Sequence, residues 1–135
     1  MRTEADRDTF AEYCKDVGMT LMEHLLASRC DHDLVRQPRE DPVEKRTTAD
    51  GDEGVFCTRP CSAGAVICLV VTKHKQRTII AGRYINHSCK PTTAFLEETD
   101  GVKLVALRYL STGSELTIDY RSIPSIRWDV YASGD

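Results

Sequence analysis

Two short runs gather the chemically versatile side chains of this sequence. They are Arg83-Tyr84-Ile85-Asn86-His87-Ser88-Cys89 and Glu115-Leu116-Thr117-Ile118-Asp119-Tyr120. The first sets an amide, an imidazole, a hydroxyl and a thiol in a row; the second ends in a carboxylate and a phenol. Each also has a plain local use. Asn86-His87 can be a turn whose side chains satisfy nearby backbone groups. Tyr120 can be a half-buried aromatic with a wet hydroxyl, and Asp119 reads as a hydrogen-bonding anchor rather than a base. The six cysteines are Cys14, Cys30, Cys57, Cys61, Cys68 and Cys89, and none forms a C-x-x-C pair. Cys57-x-x-x-Cys61 and Cys30-x-His32 come nearest to ligand spacing. Structural zinc uses tighter paired spacings, so no metal site is expected and the thiols read as small buried apolar side chains.

The elements that must position these groups fall into three segments: 1–42, 43–120 and 121–135. Residues 4–30 predict a helix, because Phe10, Cys14, Val17, Leu21 and Leu25 recur at spacings of three or four and Thr9 with Glu12 fits a capping box. The polar stretch 31–42, with two prolines, reads as a linker. From Val43 the texture changes to short β-type runs, separated by turn signals at Asp50-Gly51, Ser62-Ala63-Gly64, Asp100-Gly101 and Thr112-Gly113. Asp100-Gly101 between two such runs predicts a hairpin. The expected fold class is α+β: an N-terminal helical segment followed by several small β-sheets. With 135 residues, 41% of them hydrophobic, the chain suffices for one packed core. A net charge of −3 opposes broad binding to nucleic-acid phosphates. No apolar run is long enough to span a membrane, and MRTEADRDTF lacks an apolar h-region, so an intracellular protein is expected.

In their order and separation the two runs, with Gly54-Val55-Phe56 and Gly64 upstream, resemble the core of the SET domain, a family of S-adenosylmethionine-dependent protein lysine methyltransferases. The resemblance covers about residues 43–120 and takes in Pro91, a hairpin, Ala106, Arg108 and Gly113. It implies a threaded C-terminal segment that sets the two runs side by side. It implies S-adenosylmethionine as cofactor, with Asn86 on its amino-acid portion, the His87 backbone at the adenine, Arg83 and Tyr84 walling the pocket, and Gly54 close to the methionine end. Tyr120 would be the catalytic phenol that orients a lysine amine. The implied partner is a protein or peptide bearing lysine, with histone tails the family's common substrate. Compact members without zinc modules cover the adenine with a C-terminal aromatic, and Trp128 is the candidate here.

The sequence departs from the family pattern in places. Thr92 replaces the usual asparagine after Pro91, which predicts a looser loop. The opening glycine pair is Gly51-Asp52-Glu53-Gly54 rather than Gly-x-Gly. Only fifteen residues separate Ile67 from Arg83, where family members carry a longer helical wall. Within this gap Lys73-His74-Lys75-Gln76-Arg77 reads as an exposed basic turn. The 4–30 helix is one candidate for the missing wall. Phe95 could line the lysine channel or be plain strand core. The shortened middle and Thr92 favour a second reading, a catalytically inactive SET-like module that binds peptide or protein. A third is an oligomeric scaffold, such as a homodimer, whose groove a second chain completes.

Overall fold

The computed structural model describes residues 34–72 and 77–125. The expected helix over 4–30, most of the basic turn at 73–77, Trp128, Cys14 and Cys30 lie outside the described residues. The strands are β1 (Leu34–Val35), β2 (Val43–Thr47), β3 (Glu53–Cys57), β4 (Val66–Thr72), β5 (Arg77–Thr78), β6 (Asn86–His87), β7 (Thr93–Glu98), β8 (Gly101–Ala106) and β9 (Glu115–Ile118). A 3-10 helix, Tyr120–Ser125, follows β9. They form a five-stranded sheet, β1-β5-β4-β8-β7, and a four-stranded sheet, β2-β3-β9-β6.

This corrects the expected α+β class. The described residues hold no α-helix; they are strands and turns with one short 3-10 helix, and no N-terminal helical segment is shown. The physical reason lies in the pattern after Val43. Its apolar runs are short, rich in β-branched residues and closed by glycine turns, so no stretch sustains a 3.6-residue stripe through several turns. Within the polar stretch read as a linker, Leu34–Val35 pairs in parallel with Arg77–Thr78. Gln37 Oε1 then accepts the backbone N–H of Ala81 (3.1 Å).

The core is built where the two sheets meet. Val55, Val70, Val71, Val102, Leu104, Leu116, Ile118 and Ile123 are almost wholly buried, and each large aliphatic side chain so placed stabilises the fold by roughly 1.5–3 kcal/mol. Cys57, Cys61 and Cys68 are buried thiols. Burial pushes the Cys68 thiol up to about 12, so it stays protonated and packs as an apolar group.

The β7–β8 hairpin forms one residue earlier than the sequence suggests. Glu98 pairs with Gly101, so Thr99-Asp100 make the turn. Gly101 is needed for another reason. Its φ is +149°, and a Cβ there would stand 2.2 Å from the Val71 carbonyl oxygen of the neighbouring β4. Only a residue without a side chain allows β8 that approach.

Candidate functional site

The two chemistry-bearing runs meet through β9. Asn86 and His87 pair in parallel with Thr117 and Ile118, and the Ser88 N–H donates to the Ile118 carbonyl (2.9 Å). At its other end β9 pairs antiparallel with β3, Leu116 opposite Val55 and Glu115 opposite Phe56. Gly54, Asn86 and Glu115 therefore converge from three strands. Asn86 Nδ2 donates to the Glu53 carbonyl (2.9 Å) and to Glu115 Oε2 (2.9 Å). A Cβ on Gly54 would lie 2.7 Å from Glu115 Oε2 and 3.0 Å from Asn86 Nδ2. The missing side chain leaves room for both groups.

Tyr120 stands just beyond, where β9 gives way to the 3-10 helix. It is buried. Its backbone N–H donates to His87 Nδ1 (3.0 Å), and its hydroxyl donates to the Ile85 carbonyl (2.5 Å). The His87 and Tyr120 rings lie 5.3 Å apart, tilted by 52°. Because Nδ1 accepts a hydrogen bond, the neutral imidazole carries its proton on Nε2. The phenol is thereby fixed at both ends of its residue, beside the backbone that carries Asn86.

Asp119 turns away to anchor the helix. Its carboxylate accepts from the Arg121 backbone N–H (2.9 Å) and from the Arg121 guanidinium (2.6 Å to Nη2). Burial raises the carboxyl pKa, but the hydrogen bonds and charge of Arg121 outweigh that and leave it below its ordinary value. His87 Nδ1 is 3.8 Å away, too far for a hydrogen bond.

Arg83 and Tyr84 arrive on the turn after β5. That turn is tied by Gly82 N–H to the Thr78 carbonyl (3.1 Å) and Tyr84 N–H to the Ile80 carbonyl (3.0 Å). Arg77, buried, donates to the Gly82 carbonyl (3.2 Å). Two cations lie over the Tyr84 ring, Lys45 Nζ at 4.6 Å and Arg83 Cζ at 5.5 Å from its centre. Each such contact contributes roughly 0.5–1 kcal/mol at a partly exposed site. Lys45 also pairs with Glu53 (3.7 Å).

Thr92 does the opposite of loosening its loop. Its hydroxyl donates to the Glu115 carbonyl (2.9 Å) and accepts from the Thr117 N–H (3.0 Å). The Thr93 hydroxyl adds a bond to the Thr117 carbonyl (2.7 Å). These two side chains stitch one sheet to the other at the site. Phe95 pairs with Leu104 in the hairpin and packs partly buried against the core.

Of the residues singled out from the sequence, Gly54, Asn86, His87 and Tyr120 come together around β9, with Arg83 and Tyr84 on the adjoining turn. Sequence reasoning gave Glu115 and Lys45 no role of their own. The Lys45 signal was the β2–β3 hairpin, which sets Lys45 opposite Val55. Chemically, the cradle joins a carboxylate, an oriented amide and a bare backbone, a set suited to the ammonium end of an amino acid. A hydroxyl that donates to a carbonyl offers its lone pairs as acceptors, the sense required to hold an amine N–H.

The crystal structure of a Plasmodium falciparum "putative histone methyltransferase" matches with a TM-score of 0.49 and 17% identity, over 60% of this chain and 94% of that one. No curated protein matches the chain in sequence. The family model described as SET domain matches residues 70–121. That stretch contains both chemistry-bearing runs, the parallel strand pair that aligns them and the phenol at its end, so the match to the SET domain falls on the residues that build the site.

Proposed function

We propose that this chain transfers a methyl group from S-adenosylmethionine to the ε-amine of a protein lysine. The observation that carries the reading is the seat of Tyr120, its hydroxyl held on the Ile85 carbonyl, one residue from Asn86. When bound, the cofactor supplies an electrophilic methyl group on a sulfonium.

The residues fit that group at its amino-acid end. Gly54 lets the strand come close, and Asn86 with Glu115 offers acceptors to an ammonium. Tyr84, with Lys45 and Arg83 over its ring, is the wall this reading gives the pocket. Tyr120 then acts on the other reactant. A lysine amine in water has a pKa near 10.4 and is mostly a non-nucleophilic ammonium at neutral pH. Taking it out of water favours the neutral form. The phenol oxygen, its own proton directed to Ile85, accepts one amine N–H and turns the nitrogen lone pair toward the methyl group. Such orientation contributes mainly by holding the reacting atoms in line.

The test is a radiolabelled methyl-transfer assay on mixed histones and cell extract, with calorimetric titration of S-adenosylhomocysteine alongside. Tyr120→Phe keeps the ring and removes the acceptor. Its turnover should fall about 100-fold or more while S-adenosylhomocysteine affinity stays within about twofold. A chain that binds S-adenosylhomocysteine and labels no protein would instead be a binding module. Failure to bind it at millimolar concentration would sink the reading.

A further inference from the structure

The half-buried carboxylate of Glu115 touches the buried Asn86 amide and the bare backbone at Gly54, and nothing in the proposed reaction requires a charge there. Asn86 Nδ2 is engaged by two acceptors, the Glu53 carbonyl and Glu115 Oε2, both at 2.9 Å. That network settles which end of the amide carries nitrogen. With the ends exchanged, the amide oxygen would face a carbonyl and a carboxylate, two repulsive contacts in place of two bonds.

We propose that Glu115 is the specificity-determining residue for the α-ammonium of the cofactor, acting in two ways. It fixes the Asn86 side chain so that Asn86 presents its amide oxygen, and it places a negative charge in the cradle. The inference rests on the methyltransferase reading above and extends it to one residue and one functional group. A carboxylate has about four acceptor positions, enough to hold the Asn86 amide and an ammonium together. The contact is charge-assisted, the stronger class of hydrogen bond. The neighbouring charges keep the assignment consistent. Glu53 extends toward Lys45 (3.7 Å), which also lies over the Tyr84 ring, and Arg46, the register partner of Gly54, pairs with Glu44 (2.9 Å) and lies over the Phe56 ring. Gly54 belongs to the same device, since a side chain there would drive Glu115 off Asn86.

The chemistry predicts discrimination between ligands that differ by one group. The full chain is titrated with S-adenosylhomocysteine and with its deaminated analogue, which keeps the adenosine, thioether and carboxylate but lacks the amine. Wild type should bind the amine-bearing ligand at least about tenfold more tightly. In Glu115→Gln, whose amide oxygen still accepts from Asn86, the charge is gone. Affinity for S-adenosylhomocysteine should fall about five- to tenfold, while affinity for the deaminated analogue stays within twofold. Glu115→Ala also releases the Asn86 amide, and its loss should be larger for the amine-bearing ligand alone.

Equal weakening of both ligands in Glu115→Gln would make the residue a structural prop and overturn the proposal. Unchanged S-adenosylhomocysteine affinity in that variant would overturn it too. If Glu115→Gln does not fold, the wild-type preference decides the matter, and equal binding of the two ligands refutes the inference. A wild type that binds neither ligand brings down the methyltransferase reading as well, whereas one that binds both equally refutes only the role of Glu115.

Discussion

Adding one methyl group at Gly54 and one at Gly101 should separate function from folding. At Gly54 the new Cβ would lie 2.7 Å from Glu115 Oε2, 3.0 Å from Asn86 Nδ2 and 3.3 Å from Phe56 Cε1, where ordinary contact begins near 3.4 Å. The carboxylate must therefore retreat by about 0.7 Å and the amide by about 0.4 Å. Both are ends of side chains and can turn. Overpacking of this kind costs roughly 1–3 kcal/mol, and replacing glycine in a strand returns roughly 0.5–1 kcal/mol through the unfolded chain. Gly54→Ala should thus fold with a loss of about 0–2.5 kcal/mol, yet have a displaced cradle. At Gly101 the obstacle is the Val71 carbonyl at 2.2 Å, part of the β4–β8 pairing, and φ is +149°. Nothing there can turn aside. The cost should exceed about 3 kcal/mol, the range of severe single changes, lowering Tm by about 10 °C or more. Thermal melts and S-adenosylhomocysteine calorimetry on both variants provide the assay. Gly54→Ala should melt within a few degrees of wild type and bind about tenfold or more weakly, while Gly101→Ala should melt early or fail to accumulate folded. A folded Gly54→Ala with wild-type affinity would refute the placement of the cradle, and a silent Gly101→Ala would refute the strand geometry.

Two further outcomes follow from named bonds. Thr92→Val keeps the shape but leaves the Glu115 carbonyl and the Thr117 N–H without the hydroxyl that serves both. It should lose about 1–3 kcal/mol in urea unfolding, with Thr92→Ser recovering most of it, and a neutral Thr92→Val would show the stitch to be idle. Asp119 predicts a pH effect. Arg121 holds its carboxyl below the ordinary value of 3.8, so its contribution is fully present above that value and is lost as pH falls through the folded one. The stability difference between wild type and Asp119→Asn should shrink as the pH falls from about 5 through and below 3.8. It should be no more than about 1 kcal/mol, since Arg121 is half exposed, and a difference that does not change with pH would exclude the pairing.

Much of the local structure was legible in the residues. The turns at Gly51, Gly64 and Gly113 all have positive φ, as their glycines suggested, and the β-type runs after Val43 became strands. The hairpin at 99–100 was displaced by one residue because the glycine answered to Val71 across the sheet, a demand that no local turn rule contains. The α+β class failed for a related reason: helical periodicity was read before residue 31, whereas the described residues are governed by runs of two to seven residues. β6, only two residues long, has no periodicity to read. The nearness of Asn86-His87 to Tyr120 came from the family resemblance rather than from any pattern in the residues. Glu115 was given no role, and Thr92 was read as loosening its loop, because their partners lie 23 to 29 residues away in sequence.

Those distant partners also explain why the site depends on register. In β9, Glu115 and Thr117 alternate with the buried Leu116 and Ile118. A slip of one residue would exchange the two sets and turn an aliphatic side chain toward Asn86 in place of a carboxylate. A two-residue parallel pairing with β6 contributes little on its own against such a slip. Thr92 and Thr93 bind the Glu115 carbonyl and both backbone groups of Thr117, and the Tyr120 N–H binds His87, so the strand is held at Glu115, at Thr117 and just beyond its end at Tyr120. Substituting Thr92 should therefore reduce cofactor affinity as well as stability, although its side chain meets β9 rather than the cradle. A Thr92→Val protein less stable by the expected amount but unchanged in S-adenosylhomocysteine affinity would show that β6 and β3 hold the register without it.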